Sequence, residues 1–100
     1  MRDLLQNVLT ECGQVESVTV WCPTWTAAER ACKLFCDLSA PPLAHRRHKG
    51  GRGNNSRVVV HEGTEVIFTA TRDIGNHCRE RRGVLYDAAG GERKDYRDVH

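Results

Sequence analysis

The chain has 100 residues, 39% hydrophobic and 28% charged, which suits one small domain with a modest core and leaves no room for a second catalytic lobe. Fifteen Lys and Arg against thirteen Asp and Glu give a formal net charge of +2, a balance that by itself selects no partner. No apolar run approaches the roughly 18 residues of a bilayer span, and no signal-peptide pattern follows Met1-Arg2-Asp3, so an intracellular chain without membrane contact is expected.

Leu4, Leu5, Val8, Leu9 and Cys12 recur at helical spacing and stop at Gly13, which predicts an amphipathic first helix. Val15, Val18, Val20, Trp21 and Cys22 form a β-prone run ended by Pro23, a buried strand. Thr26-Ala27-Ala28-Glu29 matches a capping box, so a second helix is expected to start there, with Ala27, Ala31, Leu34, Phe35 and Leu38 as its apolar stripe and Ser39-Ala40-Pro41-Pro42 as its end. Residues 41–56, with two prolines and three glycines, read as a long flexible loop.

Arg57 to His61 and Thr64 to Thr71 are β-branched runs around Glu62-Gly63, the pattern of an antiparallel hairpin. A two-residue turn sets Val59 opposite Val66 and Val58 opposite Ile67, so apolar side chains fall on both faces and both should be covered. Residues 73–82 suggest a short polar helix or turn, Gly83 to Asp87 a further strand, and residues 92–100 a frayed tail. Helix, strand, helix, hairpin and strand in this order predict an α/β fold.

Five cysteines, Cys12, Cys22, Cys32, Cys36 and Cys78, are an odd number and are read as reduced, mostly buried thiols in a reducing compartment. Cys32, Cys36, His45 and His48 invite a zinc reading, but Cys-x3-Cys-x8-His-x2-His is off the usual finger spacing, and core thiols are the favoured assignment. A Cys78–His77 nucleophilic pair is disfavoured because adjacent side chains diverge.

Charge is unevenly distributed. From Leu38 to His61 there is no carboxylate, while Arg46, Arg47, Lys49, Arg52 and Arg57 fall inside that interval with His45, His48 and His61. These cations suit phosphates, and without interleaved aromatics the binding expected of them is electrostatic and tolerant of sequence.

Val18-Thr19-Val20-Trp21-Cys22-Pro23-Thr24 followed by Ala27, Ala28 and Ala31, then Gly63-Thr64-Glu65-Val66-Ile67-Phe68, then Arg82-Gly83-Val84-Leu85-Tyr86-Asp87, stand in one order. Over residues 4–90 this order resembles the P-loop ATPase of viral and phage DNA-packaging terminase large subunits and related helicase-like ATPases. The resemblance implies a single partial P-loop ATPase-like sheet over residues 1–100 with flanking helices and a β-hairpin. It also implies that Asp87 is a Walker B-like acid that meets magnesium and nucleotide, with host cytoplasm or nucleus as the compartment and a packaging complex as partner.

The sequence departs from that family in two places. It has no Gly-x-x-x-x-Gly-Lys-Ser/Thr loop to cradle phosphates, Met1 falling about where that loop would hand over to its helix, and Ala88 stands where the family places its catalytic Glu. The expectation is a fragment or degenerate copy without catalysis of its own, using ATP and Mg only if another chain supplies the phosphate loop. The alternative is a small accessory protein that binds DNA or another nucleic acid through the basic loop.

Overall fold

The β-branched run before Pro23 becomes the centre of the sheet. In the computed structural model, which describes residues 1–39, 46–47, 56–70 and 83–97, it forms β1 (Ser17–Trp21). Parallel neighbours flank it, β4 (Thr64–Thr69) on one side and β5 (Val84–Asp87) on the other. Antiparallel strands extend the sheet at both ends: β3 (Arg57–His61) and then β2 (Arg46–Arg47) beyond β4, and β6 (Arg93–Asp95) beyond β5. The resulting order is β2-β3-β4-β1-β5-β6, a mixed open sheet in an α/β fold.

Two helices, α1 (Arg2–Glu11) and α2 (Trp25–Leu38), pack on one face. Alternation along the strands turns Val18, Val20, Val66, Phe68, Val84 and Tyr86 into a continuous core with Leu5, Val8, Ala31, Cys32 and Phe35. Phe35 and Phe68 meet with ring centroids 5.5 Å apart and planes tilted by 54°. Each is fully buried, which stabilises the fold by about 1.5–3 kcal/mol per side chain. The opposite face carries Val58, Ile67, Thr19 and Leu85 in one cross-strand row, all buried.

The hairpin has the expected register, Val59 opposite Val66 and Val58 opposite Ile67, and all four side chains are buried. Glu62 (φ 51°) and Gly63 (φ 82°) both take left-handed backbone at the turn. That geometry matches the twist of the paired strands, which is why a two-residue loop closes them.

Three expectations need correction. The second helix starts two residues before the expected capping box: Thr24 is the N-cap, its Oγ1 accepting from the Ala27 N–H at 3.1 Å. Thr24 and Thr26 both have the chemistry of a cap, and Glu29, which would complete a box from Thr26, points instead to Arg57. Residues 93–95 of the expected frayed tail are β6, held to β5 by the Val84–Asp95, Leu85–Lys94 and Tyr86–Arg93 pairs. Within the expected loop 41–56, Arg46–Arg47 pair with β3 as β2, and Ser56 is buried. The helix or turn expected over 73–82 lies outside the described residues.

Candidate functional site

The carboxyl ends of the three parallel strands converge where β1 hands the chain to α2. In open α/β sheets this is the edge where ligands bind. Thr69, Trp21 and Asp87 stand side by side there, one from each of β4, β1 and β5. The backbone stitches the edge together: the Cys22 N–H donates to the Thr69 carbonyl at 2.8 Å, and the Ala88 N–H donates to the Trp21 carbonyl at 2.9 Å. The Ser56 hydroxyl donates to Thr69 Oγ1 at 2.9 Å. Trp25 opens α2 next to this edge and is exposed, whereas Trp21 is half-buried.

Asp87 is placed at this edge by β5 and is partly exposed. Its Oδ1 accepts from the Ala89 N–H at 2.9 Å and the Gly90 N–H at 3.1 Å. This side-chain-to-backbone turn, completed by Gly91 at φ 71° and by the Gly91 N–H donating to the Asp87 carbonyl, reverses the chain into β6. The negative charge of Asp87 is felt by the neighbouring Cys22: burial, then Asp87, pushes that thiol from 9.0 up to about 11.

The basic residues divide. Arg57 is nearly buried at its side chain, and its Nη2 donates to Glu29 Oε1 of α2 at 3.0 Å. Arg46 and Arg47 are brought alongside by β2, Arg47 opposite Arg57 and Arg46 opposite Val58. Lys49 and Arg52 lie outside the described residues, as do His45 and His48. His61 pairs with Thr64 at the opposite end of β4 from this edge and sets its ring edge-on to Phe35 with centroids 6.4 Å apart.

Cys12, Cys22, Cys32 and Cys36 are free and buried. Cys32 and Cys36 are one turn apart on the core side of α2, and burial raises both thiols, Cys32 to about 12. Among the described residues no group of three or more His, Cys, Asp or Glu is placed to hold a metal ion, and no helix is long and apolar enough to cross a membrane.

Sequence reasoning missed two polar contacts. Glu29 is separated from Arg57 by 28 positions, and no local pattern links them. The other is a cluster in which Arg93 Nη2 donates to Glu11 Oε1 at 2.5 Å while its guanidinium carbon lies 6.0 Å from the Tyr86 ring centroid. Burial, then Glu11, pushes the Tyr86 phenol up to about 12. The chain matches none of the protein-family models, curated proteins or solved structures with which it was compared.

Proposed function

We propose that this chain is a partial or degenerate copy of a P-loop ATPase of the viral DNA-packaging terminase or related helicase-like type, without ATP hydrolysis of its own. The observation that carries the reading is the position of Asp87, at the carboxyl end of a strand parallel and adjacent to the one that leads through Cys22-Pro23-Thr24 into α2. The residues present do not fit a magnesium nucleotide unaided. The sequence has no phosphate loop, Ala88 follows Asp87, and the Asp87 carboxylate already accepts two backbone N–H groups. No hydrolytic step is therefore assigned to this chain.

Steady-state phosphate release from Mg·ATP by the purified chain tests the catalytic half of the proposal. Background turnover is expected, and turnover abolished by Asp87→Ala would overturn it. The DNA that precedes the Met1 codon tests the ancestry. An in-frame or decayed glycine-rich Lys-Ser/Thr loop supports it, and unrelated sequence counts against it.

A second reading is nucleic-acid binding through the basic segment. It is favoured by the pairing of β2 with β3, which puts Arg46 and Arg47 at one sheet edge beside Arg57. Fluorescence anisotropy with two unrelated oligonucleotides over a salt series tests it. Three to five phosphate contacts give a slope of log affinity against log salt of roughly −2 to −4.5. No binding at low salt sinks this reading.

A further inference from the structure

We propose that Trp25 is a stacking platform for an unpaired base and that the nucleic acid this chain binds is single-stranded. The inference rests on the nucleic-acid reading and deepens it by naming the form of the ligand. No Phe, Trp or Tyr occurs between Phe35 and Phe68, so the basic segment by itself offers a nucleic acid only charge. Folding supplies the missing ring. The segment enters β3 through Ser56 and Arg57 at the carboxyl end of β4, where the Ser56 hydroxyl donates to Thr69 Oγ1 at 2.9 Å. α2 opens at the same edge, because β1 ends there and only Cys22-Pro23-Thr24 intervene before Trp25. Trp25 and Glu29 are four positions apart and share one flank of the helix. Glu29 meets Arg57 at 3.0 Å, so that flank faces the strand that carries the end of the basic segment. Lys33, which is exposed, lies one turn further along the same flank.

Trp25 is 37% exposed, the one exposed Phe, Trp or Tyr among the described residues. Tryptophan usually has most of its large surface covered. The described ring contacts, Phe35 with His61 and Phe35 with Phe68, do not include Trp25. A base laid on the indole covers apolar surface of both rings, and because every base has such a face the platform tolerates any sequence. In a duplex each base face is already covered by its neighbours, and exposing one requires unstacking. The platform therefore selects single strands.

Fluorescence anisotropy tests this with one labelled sequence as single-stranded DNA, single-stranded RNA and duplex DNA, over about 50–200 mM salt. The variants are Trp25→Leu, which keeps apolar bulk at the helix start without a π face, and Trp25→Phe, which keeps the face. Trp25→Leu is expected to weaken single-strand binding about 5- to 150-fold. Its salt slope should equal the parental one, because stacking releases no counterion. Trp25→Phe should retain most of the parental affinity, and duplex binding should be the same in all three proteins. The single strand that loses more on Trp25→Leu identifies the sugar of the ligand.

If the parent binds and Trp25→Leu leaves single-strand affinity unchanged, or weakens single strand and duplex alike, the platform is wrong and the nucleic-acid reading survives. A flatter salt slope in Trp25→Leu also overturns the platform, since the residue would then act by placing cations. If the parent binds none of the three nucleic acids at about 50 mM salt, both readings are wrong.

Discussion

The hydroxyl of Thr64, the first residue of β4, donates to the Val15 carbonyl at 2.6 Å, 49 positions earlier in the chain. The same oxygen accepts from the Gly13 N–H at 2.8 Å, so one fully buried side chain fastens the turn between α1 and β1 to the start of a neighbouring strand. Thr64→Val keeps the shape and leaves both backbone groups without this partner. The expected loss is about 1–3 kcal/mol of unfolding free energy, read as a lower urea midpoint with an unchanged m-value. An unchanged midpoint would show that other groups satisfy Gly13 and Val15.

Gly83 has a different reason to be glycine. A Cβ there would lie 2.9 Å from the Ser17 backbone oxygen and 3.2 Å from its Oγ, because β5 enters the sheet hard against β1. Gly83→Ala forces these strands apart and is expected to cost about 1–3 kcal/mol. Gly90→Ala is the matched control: its Cβ would meet the Asp87 side chain, Oδ2 at 3.4 Å and Cγ at 3.8 Å, and its effect should stay within about 0.5 kcal/mol. Equal melting temperatures for the two variants would contradict the close approach.

What the sequence discloses here depends on how far apart the interacting residues are. The β3–β4 register was legible because the two strands are joined by two residues, a turn that sets Val59 opposite Val66 and Val58 opposite Ile67. The start of α2 was legible to within two positions, the ambiguity lying between two threonines of equal capping chemistry. β6 was not legible: Arg93-Lys94-Asp95 has no apolar alternation, and its pairing with β5 is accompanied by ion pairs of Arg93 with Glu11 and of Arg97 with Asp95. At the candidate site, Asp87 could be placed at a strand end from its apolar run alone. That Arg57 meets Glu29 could not, because the contact exists only once α2 lies across β3.

The buried thiols make stability fall in alkali. Desolvation raises Cys12 and Cys22 from 9.0 to about 11 and Cys32 to about 12. In the unfolded chain these thiols ionise near 9, while in the folded chain they keep their protons. The stabilisation is therefore complete below pH 9 and is lost as pH rises toward 11 for Cys12 and Cys22 and toward 12 for Cys32, by up to about 1.4 kcal/mol per pH unit for each thiol. Urea midpoints should hold steady from pH 7 to 8.5 and drop between 9 and 10.5, with Cys22→Ala showing a shallower drop. The same protonation predicts that Cys12, Cys22, Cys32 and Cys36 resist iodoacetamide at pH 8 until urea unfolds the chain. Rapid native alkylation of any of the four would contradict their burial.

Asp87 carries two readings that one pair of substitutions separates. As a turn residue it needs only an oxygen that accepts from Ala89 and Gly90, and asparagine supplies one. As a metal-binding acid it needs the negative charge, which asparagine lacks. Asp87→Ala removes the acceptor and is expected to lower stability by about 1–2 kcal/mol, whereas Asp87→Asn should stay within about 0.5 kcal/mol of the parent. Melting curves with and without Mg·ATP complete the comparison. The non-catalytic proposal expects no nucleotide-dependent shift in the parent, since a ligand stabilises only what it binds. A rise in the parental melting temperature with Mg·ATP, lost in Asp87→Asn while the fold persists, would mean that the carboxylate holds a metal and that this chain retains a nucleotide site.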